Sequence, residues 1–158
     1  MFRKMRRFRQ QLSEEECIAI LKKEPRGVLA VLGDEDYPYT VPIDFYYDET
    51  DGRIYFHGAK EGHKVDAVRK HDKVSFCVFD EGFRKEGDWA LNIKSVVVFG
   101  RLHIVEDYDR TIEIARNLGL KYYPDAESVE EEIRKAADRV MCLALTPEHM
   151  TGKLVNES

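Results

Sequence analysis

The sequence predicts a mainly β (α+β) fold, a small antiparallel barrel of six or seven strands with peripheral helices. Short segments rich in branched and aromatic residues recur between turn signals along a chain of 158 residues. Helical signals occur near the N-terminus, once in the middle, and in a polar stretch before the last strand. Because side chains fill barrels of this size, we expect any ligand to bind outside the barrel rather than within it.

The first elements are a helix and a buried strand. Ser13 and Glu16 have the spacing of a capping box and open a helix that runs up to Pro25. The apolar run from Gly27 to Leu32 predicts a buried strand, and the acidic segment 33–36 predicts a turn after it.

A second strand is predicted from the alternation of Thr40 to Tyr47, with Pro42 on the face opposite Val41. Because proline cannot donate to a sheet ladder, Pro42 indicates an edge, a bulge, or a place where something other than a strand lies alongside. A flat aromatic ring would fit there. A hairpin loop with an Asp-Gly signal at 48–52 leads into the next strand, which ends in Phe56 and His57.

A short helix follows, and its first turn is predicted as Gly62 to Val65. His63 and Lys64 add positive charge to a helix N-terminus that already carries about half a positive charge. Two interpretations are open. Both side chains extend into water, or they bind a phosphate together with the free N–H groups of the first turn. The small residues Gly58 and Ala59 would let such a ligand approach the backbone.

The rest of the chain supplies the remaining strands and a helical insert. The Gly100 break in the longest strand is typical of a barrel bend. The loop from Asp80 to Asn92 contains the only tryptophan and is long enough to be functional. The predicted elements are strands at Lys73–Phe79, Ile93–Val105 and Val140–Leu145, and helices at Asp107–Leu120 and Ser128–Ala137, the latter capped by Ser128 with Glu131. We expect a single domain over 1–158, with a basic arm at 1–12 and a helical insert at 106–138.

The ordered set formed by YFHGAKEGHK, the KVSF strand and the SVVVFG strand resembles the pyridoxamine 5′-phosphate oxidase-like FMN-binding split-barrel family. It is most similar to the branch that includes nitroimidazole-resistance proteins. The match runs from about Gly27 to Val105, with weaker agreement at 139–146. The resemblance implies a split barrel, an FMN-binding flavoprotein with nitroreductase-like oxidoreductase activity on a small flat oxidised substrate, and a homodimer with the flavin at the subunit interface.

The same resemblance implies a set of cofactor-binding residues. The basic pair His63 and Lys64 corresponds to the FMN phosphate site, and the strand-end pair corresponds to neighbours of the phosphate and ribityl chain. His57 is also the candidate catalytic residue, since an imidazole exchanges protons near neutral pH; the alternative is a hydrogen bond from its ring to the cofactor. The complete set is Pro42, Ile43, Phe56, His57, Gly58, Ala59, His63, Lys64 and Ser95.

Two departures from the family pattern bear on the activity. Val41 and Tyr46 stand where the oxidase proper has an arginine and a lysine, so pyridoxamine phosphate oxidation is a less favoured alternative. A flavin- or haem-binding protein without turnover is the other alternative, with FAD or haem in place of FMN. His57 or His149 would then be the candidate axial ligand of a haem.

Composition excludes several classes of function. The formal net charge of −5 gives no global attraction to nucleic acid or an anionic membrane. The basic arm is expected to be a solvated tail, or else to contact an acidic surface of the partner subunit or a polyanion. Without a signal peptide or an apolar stretch of about 20 residues, the protein is expected to be cytoplasmic. Cys17, Cys77 and Cys142 are expected to be free thiols, and the histidine spacing predicts no metal site.

Overall fold

The computed structural model describes residues 1–123 and 125–157, and within them one antiparallel sheet of seven strands and four helices. This confirms the predicted mainly β fold with peripheral helices. The strands are β1 (Arg26–Leu32), β2 (Pro38–Asp44), β3 (Tyr46–Asp48), β4 (Arg53–Gly58), β5 (Lys73–Phe79), β6 (Leu91–Ile104) and β7 (Met141–Glu157). The helices are α1 (Glu14–Lys23), α2 (His63–Lys70), α3 (Tyr108–Tyr122) and α4 (Ala126–Ala136).

The sheet is curled so that its two edge strands are consecutive in the chain. Its strand order is β2-β1-β5-β6-β7-β4-β3, so β2 and β3 lie at opposite edges although only Phe45 separates them. The single strand predicted from Thr40 to Tyr47 is therefore wrong. The alternation of apolar side chains continues through Phe45 unchanged, which is why the sequence pattern does not reveal the break.

Residues from the end of α3 hold the junction at Phe45. The Tyr122 hydroxyl accepts a hydrogen bond from the Phe45 N–H (2.9 Å) and donates one to the Pro25 carbonyl (2.6 Å). Lys121 Nζ donates to the carbonyls of Glu24 (2.9 Å) and Phe45 (2.8 Å), and lies 3.7 Å from the centre of the Phe45 ring. Burial of this ammonium lowers the pKa of Lys121 to about 8.

The last strand is much longer than predicted. β7 does not stop at Leu145 but pairs with all of β6, from Ile104 opposite Leu143 to Leu91 opposite Glu157. The prediction failed because Pro147 and the polar residues around it interrupt the strand pattern. The register shifts after Phe99, and this bulge accommodates the proline. Gly100 does not interrupt β6, which is continuous from Leu91 to Ile104, but it lies at this irregularity, and a Cβ there would collide with the Thr146 carbonyl.

The helices divide the buried residues into two clusters. α1 and α2 pack into the main core inside the curled sheet, and the predicted capping box of Ser13 and Glu16 is confirmed. α3 packs against β4 and β7 in a second cluster that includes Tyr55, Ile114 and Cys142. The predicted cap of α4 at Ser128 is wrong: the helix begins at Ala126, because the Asp125 side chain accepts a hydrogen bond from Glu127 N.

The three cysteines are free thiols, as predicted. Burial raises the pKa of the Cys142 thiol to about 12, so it is unreactive at neutral pH.

Within residues 1–123 and 125–157, no helix has the length and apolar character needed to cross a membrane.

The contacts of Tyr122 lead to a stability prediction. In Tyr122→Phe the buried N–H of Phe45 loses its acceptor, so we expect the free energy of unfolding to fall by about 1–3 kcal/mol. Urea unfolding followed by circular dichroism would measure the change. Tyr123→Phe is the matched control, because Tyr123 is the next residue and is 67% exposed. Equal stability of the two variants would contradict a structural role for the Tyr122 hydroxyl.

Candidate functional site

The N-terminus of α2 is open. The helix begins at His63 after Gly62, whose φ of +134° favours glycine, and the Gly62 position provides no side-chain cap. The first-turn N–H groups therefore point outward without a capping oxygen. This end of α2 lies beside the turn between β1 and β2, where His63 approaches Gly33, Asp34 and Tyr39.

Lys64 is the free cation of this site. Its side chain is half-buried, and a Cβ built on Gly58 would lie only 3.3 Å from its Nζ. Burial lowers the pKa of Lys64, and no hydrogen-bond or ion-pair partner for its ammonium is found in the described part of the chain. A partly desolvated ammonium without a partner is destabilising, so an anion bound there would stabilise the folded protein.

His63 is engaged by protein groups. Its ring stacks on Tyr39, with centroids 4.3 Å apart, and its Nε2 accepts a hydrogen bond from the Asp34 N–H at 3.1 Å. A neutral ring that accepts at Nε2 carries its proton on Nδ1. The predicted basic pair is therefore one free ammonium and one anchored ring. Sequence reasoning missed Tyr39 and Asp34, because nothing in the sequence links the β1–β2 turn to α2.

Pro42 lies on an edge strand, which is one of the three placements that the sequence leaves open. It is exposed on the outward face of β2, opposite Val28, and among the described strands β2 pairs with β1 alone. Ile43 is buried in the core, so only its backbone is available to a ligand. The free edge of β2 thus offers unpaired backbone groups beside an exposed proline ring.

The predicted site residues at the end of β4 lie on two opposite faces of the strand. Phe56 is buried and packs edge-on against Phe76 at 5.1 Å, so its side chain belongs to the core. Gly58 lies on the same face as Phe56, next to Lys64, and the exposed Ala59 follows. His57 is exposed on the opposite face of the strand. The structure therefore brings Gly58 and Lys64 together but does not bring the His57 ring to them.

Ser95 lies far from Lys64 within one chain. It faces outward from β6, between Phe79 of β5 and Lys153 of β7. Lys73 begins β5 just after the end of α2, and Phe79 at the other end of β5 is six residues further along the chain, about 20 Å away. No single chain therefore contributes both Lys64 and Ser95 to the same end of a ligand.

The outward face of β1, β5 and β6 is largely apolar and is covered by no helix of the described residues, and we call it the bare face; at Phe99 the ring of Phe2 lies on it. The helices pack their apolar sides into the two buried clusters and leave this face uncovered. An exposed face of this kind typically marks an interaction site. Its apolar side chains are Val28, Leu32, Cys77, Phe79, Val97 and Phe99.

The described residues include no cluster of three or more His, Cys, Asp or Glu side chains that could hold a metal ion. They do fit a phosphate. Lys64 supplies an unpartnered ammonium, α2 supplies open N–H groups, and the absence of a Cβ at Gly58 leaves room beside Nζ.

Comparison with known proteins gives a family match over most of the chain. The model of the pyridoxamine 5′-phosphate oxidase family matches residues 13–154. The sequence matches no curated protein.

Several solved structures share the fold at low sequence identity. A candidate 5-nitroimidazole antibiotic resistance protein from Bacteroides thetaiotaomicron is 17% identical, with a TM-score of 0.76 over 93% of this chain and 87% of that one. A FAD-binding protein from Mesorhizobium loti is 22% identical, with a TM-score of 0.66 over 92% and 97%. A FAD- and haem-binding protein from Mycobacterium smegmatis is 20% identical, with a TM-score of 0.74 over 92% and 73%. These likenesses confirm the split-barrel fold.

Proposed function

This chain belongs to the pyridoxamine 5′-phosphate oxidase family, and we propose that it is an FMN-binding oxidoreductase that reduces a small flat oxidised molecule. The observation that carries the proposal is the half-buried, unpartnered ammonium of Lys64 at the open N-terminus of α2. The similarity to a FAD-binding protein and to a candidate nitroimidazole-resistance protein supports a flavin and a nitroaromatic substrate.

In this proposal the phosphate binds at Lys64 and the flavin ring lies along the free edge of β2. Pro38 is at the end of β2 near α2, and Pro42 is four residues further, about 13 Å away. One FMN molecule can bridge that distance with its ribityl chain and ring. The backbone of Pro42 and Ile43 would line the ring. Phe56, His57, Gly58 and Ala59 would border the phosphate and ribityl chain mainly through their backbone.

We propose that the functional unit is a homodimer. Ser95 lies three strands away from Pro42, about 14 Å across the same sheet, so it would reach a flavin bound to the second copy rather than its own. The bare outward face of β1, β5 and β6 is continuous with the edge on which the ring is proposed to lie. A twofold interface through this face would form two equivalent sites.

The flavin, when bound, would supply two-electron transfer between a reduced nicotinamide and the substrate. The protein would anchor the phosphate, orient the ring and exclude water from it. Pyridoxamine phosphate oxidation remains the less favoured alternative. The two departures from the oxidase pattern do not share the face of Pro42: Val41 points inward, and Tyr46 lies on β3 at the opposite edge and packs against the second cluster.

A second candidate function is flavin or haem binding without turnover. The observation that favours it is the His57 ring, which faces away from Lys64 and so leaves the proposed site without its predicted proton-exchanging group. The similarity to a protein that binds both FAD and haem is compatible with either cofactor. An absorbance spectrum of the purified protein distinguishes flavin from haem.

The phosphate assignment predicts different behaviour of FMN and riboflavin. Replacing Lys64 with methionine removes a charge-assisted hydrogen bond to the phosphate, so we expect Lys64→Met to weaken FMN binding about 10- to 100-fold. Riboflavin has no phosphate, and its affinity should not change. Quenching of flavin fluorescence measures both dissociation constants.

Lys60→Met is the matched control, because Lys60 lies in the same loop but donates to the Asp138 carbonyl at 2.9 Å. An FMN affinity unaltered by Lys64→Met, or no FMN binding at micromolar concentrations, would refute the proposal.

A turnover assay distinguishes the proposed oxidoreductase from a protein that only binds its cofactor. We expect NADH or NADPH to bleach the bound flavin without oxygen, and a nitroaromatic compound to restore its absorbance. Each cycle would oxidise one reduced nicotinamide and convert one nitro group to a nitroso group with release of water. Stopped-flow absorbance measures both rates, and a flavin that no nicotinamide reduces would favour storage.

The role of His57 is tested in the same assay. If the nitroaromatic compound reoxidises the flavin about tenfold more slowly in His57→Ala, His57 exchanges the proton; an unchanged rate of reoxidation would exclude that role.

The dimer proposal predicts that a charge at the centre of the bare face separates the subunits. Val97 is half-buried there between Cys77 and Thr151. We expect Val97→Asp to lower the mass measured by sedimentation equilibrium to that of a monomer and to weaken FMN binding, because each site would lose its second subunit. Tyr108→Asp is the control, since Tyr108 is exposed on α3, away from this face. A wild-type protein that is monomeric at micromolar concentrations would overturn the proposal.

A further inference from the structure

The basic N-terminal arm lies against the sheet. The Phe2 ring stacks on His149 of β7, with centroids 4.6 Å apart and planes 3° from parallel, and its centroid is 6.1 Å from that of Phe99 on β6. Gln11 forms a β-bridge with Lys153, and Leu12 is buried. The expectation of a solvated tail therefore holds for the cationic side chains and for Met1 and Phe8, which are exposed, but not for Leu12, which is buried, or for Phe2, which stacks on the sheet.

Phe2 forms one side of a groove on the outward face of the sheet. The groove has a volume of about 400 Å³, within the usual range for a small-molecule site. Its lining is apolar except for a hydroxyl, an ammonium and a carboxylate. The residues that define it are Phe2, Leu32, Pro38, Phe99, Ser75, Lys73 and Glu148.

The aromatic side of the groove is a flat stacking surface. The rings of Phe2, Phe99 and His149 lie within 17° of parallel. Phe2 is 44% exposed, so part of its ring remains open to a ligand. Flat aromatic molecules are favoured on such a surface by stacking. Ser75 and Lys73 add hydrogen-bond donors suited to the oxygens of a nitro group.

The groove crosses the sheet from Pro38 of β2 to Phe99 of β6. Ser75 and Phe99 belong to the cross-strand row adjacent to that of Pro42, and the two rows are about 7 Å apart. Phe99, like Ser95, is on β6 and therefore three strands away from Pro42. A ring stacked on Phe2 and Phe99 would lie beside a flavin bound to the second copy in the proposed homodimer.

We infer that this groove binds the substrate, a nitro-substituted aromatic ring, with Phe2 as its stacking partner and Ser75 and Lys73 as donors to the nitro oxygens. The inference rests on the proposed function, because it gives the flavin its substrate. It assigns the N-terminal arm a role in substrate binding that its basic composition does not suggest.

The test is the affinity for 4-nitrobenzyl alcohol, measured by ligand-observed NMR titration on the full chain with and without FMN. We expect Phe2→Ala to raise the dissociation constant about three- to tenfold through loss of the stacking contact. Phe2→Trp keeps a stacking ring and should bind as the wild type does. Phe8→Ala is the control within the arm, because Phe8 is 69% exposed and lies outside the groove. FMN and riboflavin affinities are measured on the same variants.

Three results would overturn the inference. The wild type does not bind the probe at millimolar concentrations, the Phe2→Ala variant binds the probe as tightly as the wild type does, or Phe2→Ala weakens the binding of riboflavin rather than that of the probe. The last result would mean that the groove holds the flavin ring. If the protein binds FMN but not the probe, the substrate assignment of the groove is refuted and the proposed flavin site is not. If the protein binds the probe through Phe2 but does not bind FMN, the groove is a ligand site and the flavin proposal is refuted.

Discussion

The fold depends on how the end of α3 holds the chain at Phe45. The sheet can curl only if its two edges meet where β2 passes into β3, and there the backbone leaves both ladders. Lys121 and Tyr122 provide partners for the N–H and carbonyl of Phe45 that a strand neighbour would otherwise supply. Burying an ammonium is unfavourable, and this one is stabilised by two carbonyl oxygens, by the face of the Phe45 ring and by the charges of Asp44 and Glu24. The curl then leaves β2 with a free edge near the N-terminus of α2.

A second lysine shows the opposite arrangement. Both side chains are half-buried, but the Lys121 ammonium has its hydrogen bonds made, whereas Lys64 has no partner in the described chain. The first is explained by the fold alone and the second is not, because a stable fold has no need for an unpartnered ammonium beside Gly58. This contrast is the physical reason for interpreting Lys64, rather than the basic arm or the charged helix α4, as the ligand-binding cation.

The proposed site gathers elements that are distant in sequence. α2 would supply the phosphate contact, the edge of β2 would supply the ring contact, and Ser95 would come from a second copy. The proposed substrate groove adds Phe2 from the first residues of the chain. The bare outward sheet face connects these parts, which is why one surface can serve as both the proposed subunit interface and the proposed catalytic centre.

The sequence by itself determined the mainly β class, the capping box at Ser13, the irregularity at Gly100 and the place of the first turn of α2 at 62–65, and it narrowed Pro42 to an edge or an interrupted ladder. The class follows from the strand pattern, and the others follow from local chemistry: a missing N–H, a missing Cβ, or a side chain that caps its own helix. Only the tertiary structure decided that Phe45 separates two edge strands, that β7 continues through Pro147, that His63 is bound by Tyr39 and Asp34, and that His57 and Lys64 lie apart. These depend on which strands become neighbours. Pairing between distant segments depends on how the whole sheet closes around its core, and local sequence patterns do not specify that closure.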